Sequence, residues 1–258
     1  MFAVSMVRED EHVPDPDLPI WKRSERGARG PAPEHSRASI AEATMKLADA
    51  EGLKAVSIRK AAAAVGIAPA SLYRYVASRD ELLALMSDAC LRTLELPATP
   101  TGRGWRADLL DIGRALRQAF REHPWFLEVM MTGRVNTAML GPAMIDYTER
   151  VVAALADVPA SGQAKMETAA IFNGVVGLFA MDEAAANSNT SPEAQLANAA
   201  YLAEQIGDGR HPYLAAIVSA PPPPDALARK SADDLFGRVL INTMSGLLGV
   251  APDERHTQ

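Results

Sequence analysis

A single cysteine, Cys90, stands in 258 residues, which excludes an intrachain disulfide framework and any cysteine-based zinc site. Its place within a helical stretch suits a small buried apolar residue. The five histidines, His12, His35, His123, His211 and His256, stand at no metal-ligand spacing, so no metal and no cofactor is inferred. No run of eighteen apolar residues exists, and the N-terminus is acidic rather than an Arg-led signal. The expected location is the cytoplasm, with no membrane partner. No sustained alternation of apolar and polar residues suggests a sheet. Nor is a nucleophile–base pair, a metal cluster or a phosphate loop visible, so no catalytic residue is named. Net positive charge is lacking too. The balance is −6 over the chain, yet residues 36–95 carry eight Lys/Arg against seven Asp/Glu. Affinity for phosphate depends on local geometry more than on total charge, so any DNA binding here depends on sequence and is weak on random DNA.

What is present is helix. Composition is 48% hydrophobic and rich in Ala and Leu, enough for one small and one larger all-α domain. The informative stretch is residues 36–85. A first helix is expected over residues 37–51, with Ile40, Ala43, Leu47 and Ala50 on one stripe. Gly52 ends it. A second begins at Ser57, a preferred N-cap type, and carries Ile58, Ala61, Ala62 and Val65 to the break at Gly66. A third, barely two turns, spans residues 69–75 with Pro69 at its first position. Ser78-Arg79-Asp80-Glu81 then reads as a capping box opening a fourth. Short helices joined through a glycine turn and braced by a third form a helix-turn-helix unit. Leu72 and Val76 point to the small core, leaving Pro69, Ala70, Ser71, Tyr73, Arg74 and Tyr75 on or near the outer side. Short side chains there allow close approach to base edges, and hydroxyl and guanidinium groups reach bases or phosphates.

The patterns G-L-x-x-x-S-x-R-x-x-A, V-G-I-A-x-x-S-L-Y-R-Y-V and S-R-D-E-L-L occur in succession within this stretch. Together they resemble the DNA-binding domain of the tetracycline-repressor (TetR) family over about fifty contiguous residues. The resemblance implies phosphate contacts at Ser57, Arg59, Tyr73 and Arg79. It implies base reading at Ala68, Pro69, Ala70, Arg74 and Tyr75, with Ser71 near both. Two departures stand out. Ala61 replaces a frequent Leu, which implies tighter helix crossing, and Arg79 replaces a usual Lys, which changes the contact geometry.

Ahead of this unit, residues 1–35 are expected to form a flexible arm. Its stretch WKRSERGARG bears Lys22, Arg23, Arg26 and Arg29. Such an arm either enters an adjacent minor groove, as homeodomain arms do, or is a solubilising tail. The helix-turn-helix domain is assigned to residues 36–80, an effector-binding and dimerisation domain to 81–250, and a tail to 251–258. The stretch PATPTGRG reads as a linker. Helices are expected over residues 105–121, 125–131, 143–156, 165–186, from the SPEAQ start to about 206, and 233–248. Residues 207–225 read as a loop or interhelix excursion of low order.

FREHPW and LFGRVLINTMSGLLG resemble the C-terminal domain of the tetracycline-repressor branch. That resemblance implies a bound small effector and a homodimer closed by two helices from each subunit. One of these would open at Lys165 and close at Ala186; the other would lie between Asp233 and Leu248. Burial of both helices within one monomer would give the same pattern. Candidate effector-binding residues are Trp105, Phe120, Trp125, Phe126, Met130, Met144, Tyr147 and Phe172, with Met131, Met139 and Phe179 in the wider apolar set and Arg134, Asn136 and Asn173 as polar anchors. Met and aromatics suit an adaptable, largely apolar ligand, and equally a plain core. The leading reading is a homodimeric transcriptional repressor on double-stranded, palindromic operator DNA, released by a small molecule. The competing readings are an all-helical small-molecule-binding protein or enzyme without sequence-specific DNA binding, and a protein-binding adaptor.

Overall fold

The computed structural model describes residues 18–23, 35–132, 140–187, 191–221 and 232–251. Among these residues the secondary structure is helical with no strand, so the all-α expectation holds. Two compact units divide the chain, Met1–Asp157 and Val158–Gln258.

In the first unit, α1 (Arg37–Glu51) packs on α2 (Ile58–Val65) and on α4 (Arg79–Arg92), with the short α3 (Pro69–Leu72) against α2. Helix α4 also packs on α6 (Pro124–Met131) and α7 (Pro142–Ala154), and α5 (Trp105–Glu122) packs on α6 and α7. Leu109, Ile112, Leu116 and Phe120 form the buried face of α5, as its periodicity predicts. Helix α1 begins with a reciprocal pair of serines. Ser39 N donates to Ser36 Oγ at 3.1 Å and Ser36 N to Ser39 Oγ at 3.0 Å, a capping box with serine where Glu or Gln is usual. The buried face of α1 is Arg37, Ile40, Ala41, Thr44, Met45 and Ala48. This corrects the expected stripe, since Ala43 and Leu47 are half-buried and Ala50 is exposed. The cause is polar burial. Thr44 Oγ1 donates to Ile40 O at 2.7 Å, and the Arg37 guanidinium is bonded to carbonyls, so two polar residues occupy core positions that an apolar pattern skips.

Gly66 takes the left-handed conformation that closes α2. Ala61 and Ala62 are fully buried beneath α3 and α1, consistent with close crossing. Helix α4 is capped by Ser78, whose Oγ accepts from Glu81 N at 3.1 Å, while Glu81 Oε2 accepts from Ala77 N at 2.7 Å. From Leu82 to Asp88 and again at Cys90 the helix is buried. Burial first, then the negative charges of Asp49 and Glu122, push the Cys90 thiol up to about 12.

The stretch read as a linker is pinned to the first unit instead. Arg150 Nη1 donates to Pro97 O at 2.9 Å and Thr99 Oγ1 to Arg150 O at 3.2 Å. Thr101 N donates to Asp108 Oδ2 at 3.0 Å, and its hydroxyl to the other oxygen. Part of the arm also folds. Ile20–Lys22 makes a 3-10 turn with Ile20 and Arg23 buried, so flexibility throughout the arm does not hold for these residues. Arg26 and Arg29 lie outside the described residues.

Between α4 and α7 the join is polar and buried. Asp88 Oδ1 accepts from Ala143 N at 2.7 Å and Oδ2 from Arg92 Nη2 at 2.5 Å, so a carboxylate from α4 caps the positive end of α7. A Cβ on Gly141 would stand 2.7 and 2.8 Å from two Trp21 ring atoms and collide with Asp88 Oδ1.

In the second unit, α8 (Gly162–Asn187) packs on α11 (Ala232–Leu248). Phe172, Val176 and Ala180 of α8 are buried, as are Phe236, Leu240, Met244 and Leu248 of α11. Phe179 and Phe236 meet edge to face at 5.3 Å. Helices α9 (Pro192–Gly207) and α10 (Pro212–Ser219) pack on one another and bury no residue. Helix α10 corrects the expected loop over residues 207–225. The prolines and glycines around it suggest disorder, yet Pro212 occupies the first helical position, where its missing N–H costs nothing.

Two outcomes follow from this packing. Cys90 should react with a disulfide reagent at pH 8 at least about a hundredfold more slowly in the native protein than in denaturant. Gly141→Ala should lower the calorimetric unfolding midpoint, at a cost of about 1–3 kcal/mol from overpacking against Trp21 and Asp88.

Candidate nucleic-acid interface

Helices α2 and α3, joined at Gly66, form the helix-turn-helix. Ser57 caps α2, its Oγ accepting from Lys60 N at 3.3 Å, and Arg59 is exposed on the first turn. Helix α3 is anchored by Leu72 and, just beyond it, Val76, both fully buried. That burial turns the rest of the segment outward. Ala68, Pro69, Ala70, Tyr73 and Arg74 are exposed, Tyr73 by 56%, while Ser71 and Tyr75 are half-buried. The helix is shorter than the expected 69–75. Arg74 N donates to Ser71 O at 3.2 Å and Tyr75 N to Leu72 O at 2.9 Å, so the chain tightens into three-residue turns after Leu72.

Arg79 is engaged differently from the rest. Its Nε donates to Val56 O at 2.8 Å and Nη2 to Leu53 O at 3.0 Å. Two donors of the guanidinium fork therefore hold the 53–56 turn against α4, a geometry that Lys lacks. Two of the five N–H donors of the guanidinium are engaged in this way.

Three residues overlooked in the sequence organise the surroundings. Arg37 Nε donates to Tyr75 O at 3.2 Å, tying α1 to the end of the recognition segment. Asp88 caps α7. Asp49, near the end of α1, accepts from Trp125 Nε1 at 2.7 Å and lies 2.8 Å from His123 Nδ1 through the same oxygen. A signal for Asp49 was present: an acid in the last turn of a helix opposes the macrodipole unless something else holds it.

The effector candidates among the described residues are divided between the two units. Phe120, Trp125, Phe126, Met144 and Tyr147 are buried in the first unit and Met130 is half-buried. The rings of Phe120 and Phe126 meet at a tilt with centres 5.3 Å apart, and those of Trp125 and Phe126 likewise at 5.8 Å. Trp105 is half-buried with the Arg106 guanidinium 4.5 Å from its ring centre. Burial pushes the Tyr147 hydroxyl well above the usual phenol range. Phe172 and Asn173 belong to α8, in the second unit. Arg134, Asn136 and Met139 lie outside the described residues. A cavity of about 240 Å³ lies elsewhere, lined by Leu53, Arg79, Asp80, Leu83, Glu128, Val129 and Thr132. Among the described residues no His/Cys/Asp/Glu group is placed to hold a metal ion, and no helix is long and apolar enough to cross a membrane.

An outward-facing recognition segment on a glycine-joined helix pair defines a helix-turn-helix DNA-binding protein. Comparison with known proteins supplies the family. Residues 40–86 match the model for bacterial regulatory proteins of the tetR family, and residues 96–250 match the model for the tetracyclin repressor-like C-terminal domain. The HTH-type transcriptional repressor DrrR1 of Streptomyces coeruleorubidus is 32% identical over 88% of this chain and 83% of its own. An HTH-type transcriptional regulator of Saccharopolyspora erythraea is 31% identical over 69% and 72%. The structure of the TetR family protein ActR from Streptomyces coelicolor in complex with (S)-DNPA superposes with a TM-score of 0.63. It is 26% identical and covers 84% of this chain and 98% of ActR. The chain belongs to the TetR family and is a DNA-binding transcriptional regulator.

Substituting the two arginines separates their roles. Arg59→Ala should leave the melting temperature within about 1 °C, as expected for an exposed surface site. If Arg59 meets a phosphate, the variant should lower the salt slope of DNA binding by about one. Arg79→Ala should instead lower the melting temperature, because two carbonyls lose their donor. Thermal melts and salt titrations on the same variants read both effects.

Proposed function

We propose that the chain acts as a homodimeric repressor that reads a palindromic operator through Ala68–Tyr75 and is released by a small, largely apolar molecule. The observation carrying this reading is the orientation of α3. Two fully buried residues, Leu72 and Val76, turn a run of small and hydrogen-bonding side chains toward solvent. Ala68, Pro69 and Ala70 let the backbone approach base edges, and Arg74 and Tyr73 supply groups long enough to reach bases or phosphates. Ser57 and Arg59 sit at the start of α2, the position for phosphate contacts. Functionally, residues 36–80 read DNA and residues 81–250 bind the effector and dimerise.

Dimerisation through α8 and α11 is supported by a second apolar face on α8. Ile171, Leu178 and Met181 are exposed at helical spacing around Gly174, away from the face buried on α11, and Leu235 and Leu247 of α11 are exposed as well. Apolar stripes of this kind close four-helix bundles. Two recognition helices would then meet successive major grooves about 34–36 Å apart.

ActR has been crystallised with actinorhodin and with (S)-DNPA, which supports a small-molecule effector here. The effector candidates beside α6 and α7 are Phe126, Met130, Met144 and Tyr147. Release requires the effector to favour the DNA-incompetent state by at least a few kcal/mol. Asp49 is suited to transmit that preference, because one carboxylate oxygen on α1 holds both His123 and Trp125 at the start of α6.

In-vitro selection from a random DNA library tests the reading. The wild type should enrich an inverted repeat, and the Arg59→Ala/Tyr73→Ala protein, equally folded, should not. Leu178→Asp should convert the dimer to monomer in sedimentation while helical circular dichroism is kept. With operator and effector identified, Asp49→Ala should raise the effector concentration needed for release more than it changes operator affinity. Absence of any enriched repeat from a folded, ligand-free wild-type dimer at low salt would refute DNA reading.

A further inference from the structure

We propose that Ile20–Arg23 is a brace that positions the recognition segment for operator DNA, with Arg37 as its hub and the Arg23–Glu81 pair as its clasp. The proposal rests on the operator-binding reading and goes beyond it, because none of these three residues lies on the surface turned toward DNA.

The first observation is burial. Ile20 is 2% exposed, Arg23 7% and Arg37 8%. An arm that follows DNA keeps its cations in solvent, whereas the Arg23 guanidinium is turned inward and its Nη2 donates to Glu81 Oε1. A guanidinium and a carboxylate that leave water together depend on one another, and losing either strands the other.

The second observation is where the bonds go. Arg37 Nη1 donates to Ile20 O at 2.9 Å and to Arg23 O at 2.7 Å, and its Nε donates to Tyr75 O at 3.2 Å. One side chain thus joins both ends of the 20–23 turn to the end of the recognition segment. Glu81, clasped by Arg23, accepts from Ala77 N at 2.7 Å through its second oxygen. The connection between α3 and α4 is therefore held at Tyr75 and again at Ala77, in both cases by a group bonded to the N-terminal turn.

The third observation is the weakness of what is held. Helix α3 has four residues, too few to be stable alone. Tyr73 and Arg74 fall on the tightened turns just before Tyr75. Their aim toward DNA depends on the path of that connection, which the brace fixes from behind. Trp21 seats the same turn against Gly141 at the start of α7.

The test uses the full-length dimer and the operator enriched by the wild type. Operator affinity, affinity for random DNA and the salt dependence of both are measured for Arg23→Gln, Glu81→Gln, the double variant and Arg37→Lys. All readings are taken well below each variant's melting temperature. Glu81→Gln keeps an oxygen for Ala77 N–H and removes a negative charge near the DNA-binding surface. Electrostatics alone would make it bind tighter. The brace requires the opposite. Each single variant should weaken operator binding by about tenfold, and the double should be no weaker than the worse single. The salt slope and random-DNA affinity should stay at the wild-type values. Arg37→Lys keeps its charge but loses the fork, so it should show the same loss of specificity and carries the test if Arg23→Gln does not fold.

Glu81→Gln binding operator as well as or better than wild type would overturn the proposal. So would additive losses in the double variant. A salt slope lowered by about one in Arg23→Gln would assign that residue to a phosphate instead. Failure of the wild type to select any operator removes the underlying reading, whereas a selected operator bound equally by all variants removes the brace alone.

Discussion

A recognition helix four residues long has no stability of its own, and the first unit is built around that constraint. Nucleating a helical turn costs more than one hydrogen bond returns, so Pro69–Leu72 holds its shape only because neighbours fix it. Leu72 and Val76 anchor it from below, Ala61 and Ala62 let α2 come close, and Arg37 holds the carbonyl of Tyr75. The same arrangement explains the exposed run. Once the apolar residues are buried, the small and polar ones have only the outer side left.

The supports of this short helix also connect it to the rest of the first unit. Helix α4 is buried along most of its length and packs on α1, α6 and α7. Its Glu81 end reaches Ala77, and its Asp88 end reaches the backbone of Ala143. Asp49 of α1 holds the two residues that begin α6. These joins are carboxylates meeting N–H groups or a buried cation, so each has a defined direction and a short range. Displacing α6 or α7 therefore loads specific atoms of α1 and α4 and is not absorbed by a soft apolar contact.

Much of this was legible in the sequence. Ser57, Gly66, Pro69 and Ser78 mark helix ends by mechanisms that need no tertiary context, and they lie where the structure has them. The periodic face of α5 was equally clear, because it is set by apolar residues at helical spacing. What escaped was polar burial. Thr44 and Arg37 occupy core positions because each finds a carbonyl, and nothing local announces that. Arg79 was read by its family position alone, and the bonds of its Nε and Nη2 to Val56 O and Leu53 O went unforeseen. Helix α10 was hidden by flanking glycine and proline, and the fixed path of the 97–101 loop by partners about fifty residues away. The effector residues could be named only as apolar candidates, because Met and aromatics serve a pocket and a core alike.

The N-terminal turn bears on how the DNA-binding domain is to be delimited. The matched family region begins at residue 40, after the last residue of the segment 20–23 and three positions past Arg37. A fragment trimmed to that match would carry α2 and α3 whole and α4 as far as Met86. It would also lose the Ser36 cap and leave Tyr75 O and Glu81 without their cationic partners. The physical domain thus starts about twenty residues before the recognisable one. Grafting this reading head onto another scaffold requires carrying those upstream residues with it.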